Sequence, residues 1–152
     1  MKSNEQKTPV QEIRFYDHME DSLLKFAVII SKSNDKWVYC KHRERDTYEI
    51  PGGHREDGET ILETARRELW EETGAVHYAM TPVCAYAVVR KAINGQDTES
   101  CGMLYYAEIT EFTQELHSEI ERIELFKIPP AAQTYPQIQP ALLKEAARRG
   151  FC

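Results

Sequence analysis

At 152 residues the chain has the size of one ordinary domain, long enough to bury a core without disulfide or metal staples. Hydrophobic residues make up 41% and charged residues 29%, as in globular proteins, and no apolar run approaches the length that spans a bilayer, so no membrane partner is expected. The net charge of -6 excludes a general attraction to nucleic acid, so a protein of this charge that handles phosphates would need a metal ion.

The first residues, Met1 to Pro9, are polar, with neither an apolar core nor a small-residue cleavage pattern, so no secretory signal is expected. A frayed tail over residues 1–10 ahead of a single domain over residues 11–152 is the expected organisation. Runs rich in aliphatic, β-branched and aromatic residues predict strands at Glu12–Tyr16, Lys25–Ser31 and Lys36–Lys41. Ser33-Asn34-Asp35 supplies a hairpin turn between the last two, because Asn tolerates the positive φ such turns demand. Lys41, His42, Arg43 and Arg45, with Arg55, form the basic cluster of this region. They suit either contact with substrate phosphates or a solvated loop. Tyr48, just before Ile50-Pro51-Gly52, is expected to be structural.

Over Thr60–Thr73 the pattern changes to a helical one, with Ile61, Leu62, Ala65 and Leu69 on one stripe. Thr60 followed by Glu63 offers a capping box, and Gly74 a left-handed stop. Trp70 is expected to pack beside this helix. Further strands are predicted at Ala79–Arg90 and Gly102–Ile109, with Asn94-Gly95 as a turn between them. Gln133, Tyr135 and Gln137 precede a second helix over Pro140–Arg149, closed by Gly150; amide and aromatic groups there could read a base. Mixed strands with two helices predict a layered α/β fold.

Cys40, Cys84, Cys101 and Cys152 are scattered and form no CxxC pair, which excludes a zinc knuckle or disulfide framework and fits a reducing cytoplasm. His54 and His77 lack a second histidine at ligand spacing, so they read as surface residues and no zinc site is expected.

The chemistry concentrates on the first helix. Glu68, Glu71 and Glu72 lie three and four residues apart and project from one side of it. Like charges at that spacing cost roughly 0.2–0.5 kcal/mol each, so the cluster calls for a cation, and hard oxygen ligands select Mg²⁺, with Mn²⁺ as a substitute. The preceding loop, Pro51-Gly52-Gly53 through Asp57-Gly58, is glycine-punctuated and can approach a ligand closely.

From Gly53, five residues lead to Glu59, and seven more to Arg67-Glu68-Leu69-Trp70-Glu71-Glu72-Thr73-Gly74-Ala75. This resembles the Nudix box, G-x5-E-x7-R-E-U-x-E-E-x-G-U, with every charged and glycine position matched and Ala75 replacing the closing larger aliphatic residue. The resemblance implies a Nudix-like α/β/α sandwich with a mixed β-sheet. It implies that Glu68, Glu71 and Glu72 bind metal or activate water, that Arg67 orients a glutamate, and that Gly52 lends a backbone carbonyl to the metal. Glu119, in Ser118-Glu119-Ile120-Glu121, resembles the acid that commonly contributes from outside the box.

The activity implied is Mg²⁺-dependent hydrolysis of a phosphoanhydride bond in a nucleoside diphosphate-linked substrate. A nucleoside triphosphate is the leading substrate, oxidised ones such as 8-oxo-dGTP included, cut to the monophosphate and pyrophosphate. Arg90, Lys91 and Ala92 stand where branches acting on ADP-ribose and diadenosine polyphosphates tend to show a marker Pro or Tyr, which speaks against both. Two alternatives remain: removal of pyrophosphate from an RNA 5′ end, the one case with a nucleic-acid partner, and a non-catalytic nucleotide-sensing module. Related enzymes are often homodimers, although no exposed apolar stripe predicts one here.

Overall fold

The computed structural model describes residues 9–92, 94–113, 115–116 and 119–152, so most of the expected tail lies outside the described residues. The chain runs β1 (Val10–Tyr16), β2 (Phe26–Ser33), β3 (Lys36–His42), β4 (Gly52–His54), α1 (Ile61–Thr73), β5 (Ala75–Lys91), β6 (Asp97–Phe112), β7 (Ile120–Phe126) and α2 (Gln139–Arg148). A 3-10 turn at Asp21–Leu23 joins β1 to β2.

The strands form one seven-stranded sheet in the order β1-β5-β6-β2-β3-β7, with β4 paired to β2 off this path. The β2–β6 pair is parallel and the other pairs are antiparallel, so the sheet is mixed as expected. Side chains alternate across a pleated strand, and the two cores follow that alternation. Ile29, Val38, Ala85, Tyr105 and Ala107 pack with Ile61, Ala65 and Leu69 of α1. Their chain neighbours Ile30, Tyr39, Cys84, Tyr86 and Leu104 pack with Leu142 and Ala146 of α2. The helices therefore cover opposite faces, giving an α/β/α sandwich.

The expected local signals are in place. Asn34 and Asp35 both have positive φ in the β2–β3 turn. Thr60 and Glu63 form the reciprocal capping box, and Gly74, at φ 76°, ends α1 in the left-handed region. Other elements depart from expectation for tertiary reasons. β4 and β7 have weak strand signals, one with two glycines and the other with three charged residues among seven, and they form because β2 and β3 offer open edges to pair with. β5 and β6 run well past their predicted ends because each carries the other, from Ala75 opposite Phe112 to Lys91 opposite Asp97. Trp70, expected to pack beside α1, is 47% exposed, since the stripe carrying Ile61, Ala65 and Leu69 already fills the interface with the sheet.

The end of α2 is held by Glu145, which accepts hydrogen bonds from Arg148 and Arg149. Arg148 first, and Arg149 with it, bring this carboxyl down to about 2 from its ordinary 4.5. A folded-state value below the unfolded one stabilises the fold at pH above 4.5, and that stabilisation is lost as pH falls toward 2. Glu145→Gln is therefore expected to lower the midpoint of thermal unfolding at pH 7. The gap from the parent should close progressively between pH 4.5 and 2, as followed by circular dichroism.

Candidate active site

The glycine loop reaches α1 because β4 fastens it to the sheet: Val28 pairs with Gly52, Ala27 with Gly53 and Phe26 with His54. The approach is close enough to require glycine. A Cβ on Gly53 would stand 2.1 Å from Glu68 Oε2, and one on Gly52 would stand 2.6 Å from the Ala27 carbonyl oxygen. The space that a side chain would fill is taken by the Glu68 carboxylate.

Arg67 organises the acids on this side. Its Nε donates to Glu59 Oε2 at 2.5 Å and its Nη2 to Glu59 Oε1 at 3.1 Å, a two-pronged pair. Nη1 donates to Glu68 at 3.0 Å and Glu71 at 3.3 Å, and Nη2 also reaches the His54 carbonyl at 3.0 Å. The expected pairing with Glu68 or Glu59 is thus made with both, and with Glu71. Arg67 holds the Glu59 carboxyl down at about 2. Glu68 behaves in the opposite way: burial first, and then the charge of Glu72, push it up to about 7 against the pull of Arg67. The charges of Glu72 and Glu71 both disfavour the ionised form of Glu68, so the three helix glutamates share one electrostatic environment.

Glu72 is 3% exposed. The Gly52 N–H donates to its Oε1 at 2.8 Å, so the glycine loop is tied to the cluster through this amide. Its Oε2 lies 3.3 Å from His42 Nε2, which lies 3.4 Å from Glu49 Oε2. Glu49 and Glu72 raise the imidazole to about 9, placing a cation between two buried carboxylates. Burial raises Glu72, with His42 and the Gly52 amide opposing. Burial likewise raises Glu49, but His42 and Arg45 together outweigh it and hold Glu49 below the usual range.

Most of the basic cluster is committed to acidic partners, while Arg43 is exposed in the turn after β3. Lys41 and His42 are buried, and Lys41 pairs with Glu121 at 2.9 Å, Arg45 with Glu49 at 2.6 Å, and Arg55 with Asp21. Glu119 stands exposed in the turn entering β7, where its carbonyl accepts the Arg43 N–H at 3.0 Å; Ser118 lies outside the described residues. Tyr48 is structural as expected, donating to Glu124 and accepting from Arg122.

Beside Gly52 and Gly53 opens a cleft of about 870 Å³, lined by Phe26, His54, Tyr86, Tyr135 and Gln139 among others. Of the three base-reading candidates only Tyr135 lines it; Gln133 donates to the Pro130 carbonyl and Gln137 is exposed. The cleft's amide is Gln139, which accepts the Ile50 N–H at 2.8 Å and fixes the residue ahead of Pro51-Gly52. Glu49 and Gln139 were not singled out by the sequence. The signals available were an acid three residues before Gly52 and a glutamine at the predicted start of α2.

The donors fit a hard divalent ion. Glu68, Glu71 and Glu72 offer carboxylate oxygens, and the crowding that raises Glu68 is what a cation relieves. Glu68, Glu71 and Glu72 would hold such an ion.

An α/β/α sandwich that presents a helix-borne glutamate cluster to a glycine loop defines the Nudix class of protein. The chain belongs to this family: the NUDIX domain model matches residues 22–148. Family members generally use divalent metal ions and act on nucleotide-linked substrates. A curated relative, "Putative 8-oxo-dGTP diphosphatase YtkD" of Bacillus subtilis, is 29% identical over 104 residues, covering 68% of this chain and 62% of the relative. The match thus spans about three fifths of that relative's length. Among solved structures, the Bacillus subtilis pyrophosphohydrolase BsRppH aligns with a TM-score of 0.73 at 23% identity over 91% of both chains. A NUDIX hydrolase from Nitrosomonas europaea aligns with a TM-score of 0.62 at 20% identity, over 82% of this chain and 89% of that one. These likenesses show the same fold. Among the described residues no helix is long and apolar enough to cross a membrane.

Proposed function

We propose that the protein is a Mg²⁺-dependent pyrophosphohydrolase that cuts a phosphoanhydride bond in a nucleoside diphosphate-linked substrate. Its substrate is a nucleoside triphosphate, oxidised forms such as 8-oxo-dGTP included, and its products are the monophosphate and pyrophosphate. The observation that carries this is the crowding of Glu68 and Glu72 at the glycine loop, with the Glu68 carboxylate in the space left by Gly53 and pushed up to about 7. An 8-oxo-dGTP diphosphatase description on a relative 29% identical supports the substrate class.

In this reading Glu68, Glu71 and Glu72 hold Mg²⁺, with the Gly52 carbonyl and Glu119 completing the shell. Mg²⁺ supplies charge neutralisation on the phosphates and lowers the pKa of the attacking water. Arg67 keeps Glu68 and Glu71 aimed at the loop while Glu59 anchors Arg67 from behind. Water attacks phosphorus in line, a box glutamate takes its proton, and the bridging P–O bond breaks with its electron pair leaving on pyrophosphate. The cleft between β2, β5 and α2 takes the nucleoside, with Phe26 and Tyr135 as aromatic walls.

A mononucleotide fits better than an RNA 5′ end, because Lys41, Arg45 and Arg55 are committed to acidic partners and do not build a basic groove. Retention of all the box glutamates argues against a sensor that has lost its chemistry. A cytoplasmic setting belongs to the same proposal, supported by four cysteines that form no disulfide.

A panel of nucleotides, 8-oxo-dGTP and 5′-triphosphorylated RNA, assayed with and without Mg²⁺, tests the reading. Pyrophosphate release from a triphosphate, abolished by chelator, is the expected result. Turnover of the RNA alone would move the assignment to the RNA end, and silence across the panel would end the hydrolase reading.

A further inference from the structure

Behind the helix glutamates, donors from outside the box converge on one of its own, Glu72. Cys40 and Glu49 face each other across an antiparallel bridge, exchanging both backbone hydrogen bonds at 2.9 and 3.0 Å. Two residues beyond Cys40, past a register shift between Lys41 and His42 in the β3–β7 pair, His42 points to the same place. Glu72 comes to it from α1. A thiol sulfur, a ring nitrogen and a carboxylate oxygen of Cys40, His42 and Glu72 all lie within 4.8 Å of one another, and all three residues are buried. His42 Nε2 is buried and, although two carboxylates stand nearby, is hydrogen-bonded to neither.

We propose that Cys40, His42, Glu49 and Glu72 form a second cation site, selective for a borderline divalent ion of the zinc class, which shares Glu72 with the magnesium cluster so that the two ions compete.

Geometry and chemistry support this independently. Ligands at tetrahedral zinc distances of about 2.0–2.3 Å stand about 3.3–3.6 Å from one another. His42 Nε2 is 3.3 Å from Glu72 and 3.4 Å from Glu49, already at the edge of such a tetrahedron. Cys40 Sγ rests 3.4 Å from the Glu49 carbonyl and within 4.8 Å of the His42 and Glu72 ligand atoms, so a closure of about 1 Å at most brings it to ligand spacing. One sulfur, one nitrogen and carboxylate oxygens form a set that zinc or cobalt prefers over Mg²⁺, which wants hard oxygen alone. The Gly52 amide holds Glu72 by Oε1 and leaves Oε2 toward His42, so a cation there engages the oxygen without unseating the side chain.

Competition rests on the proposed hydrolase reading, whereas binding does not, and the experiment separates the two. The whole chain, freed of metal, is titrated with Co²⁺ and followed by absorption. One equivalent is expected to produce a thiolate-to-cobalt charge-transfer band, displaced by stoichiometric Zn²⁺ and weakened by Mg²⁺ only when Mg²⁺ is in large excess. Cys40→Ser, with Cys84, Cys101 and Cys152 in place, should abolish the band and keep the far-ultraviolet dichroism of the parent. His42→Gln serves as a second variant should the first misfold. In the nucleotide assay, Zn²⁺ should inhibit the parent against rising Mg²⁺, while Cys40→Ser keeps the Mg²⁺-supported rate and loses at least tenfold in zinc sensitivity. No band in the parent, or a band surviving in both variants, overturns the site. A band without any nucleotide hydrolysis keeps the site and overturns the hydrolase reading. Inhibition that Mg²⁺ does not relieve overturns the sharing of Glu72.

Discussion

Glu72→Gln is expected to lower Mg²⁺-dependent turnover by about 10²–10⁴-fold while the protein stays folded. The substitution keeps the side chain's shape, and its amide oxygen can still accept the Gly52 N–H that Oε1 now accepts at 2.8 Å. What it removes is the negative charge at a position 3% exposed, where His42 on one side and the helix glutamates on the other both respond to it. His42 retains Glu49 as its counter-ion, so the fold loses one of two partners and does not strand a bare buried cation. A mere structural role would show as a lowered unfolding temperature with turnover intact. Steady-state kinetics over a range of Mg²⁺ concentrations, alongside thermal unfolding, separates the outcomes, and a wild-type rate at saturating Mg²⁺ would remove Glu72 from the chemistry.

Gly53→Ala is expected to cost about 100-fold in turnover, because displacement of a catalytic group by about 1 Å suffices for a loss of that size. The new methyl would sit 2.1 Å from Glu68 Oε2 and 2.3 Å from its Cδ, so the carboxylate must leave. Its departure also breaks the 3.0 Å bond from Arg67 Nη1, which frees part of the guanidinium that aligns Glu71. The backbone itself tolerates alanine, as Gly53 is not among the positive-φ glycines, and β4 keeps its pairing with Ala27. Normal circular dichroism with a collapsed rate is the expected combination. An unchanged rate would mean that Glu68 works from elsewhere.

The site was legible where its geometry is local. Glu68, Glu71 and Glu72 share a side of α1 because a helix repeats every 3.6 residues, and the capping of that helix by Thr60, Glu63 and Gly74 needs no partner outside it. The link from Arg67 to Glu59 spans only eight residues, within reach of one loop and one helical turn. Trp70 marks the limit of such reasoning, since helical spacing says which residues share a stripe but not how much of the stripe the sheet covers.

The basic cluster is the sharper case. As a list of residue types, Lys41, His42, Arg43, Arg45 and Arg55 invite phosphate, yet each charge's role depends on which acid the fold brings beside it. Glu121 arrives through the β3–β7 register, Glu72 from α1, and Asp21 from the turn after β1. These meetings span 30 to 80 residues of chain, and no local propensity encodes them. The same holds for β4, which is a strand only because β2 has an edge to give it, and for Gln139, whose hold on Ile50 bridges 89 residues.

Periodicity and capping, which act within a few residues, were therefore enough to determine α1, its acid cluster, the hairpin turns and the α/β class. Sheet register and the packing of α1 and α2 on opposite faces, which arise from contacts far apart in the chain, decided the rest. They chose which basic groups became structural pairs, which residues line the cleft, and that Cys40, His42 and Glu72 meet at one buried point with Glu49 beside His42. Side-chain chemistry is written residue by residue, but charge and coordination depend on neighbours, and neighbours are a property of the folded chain.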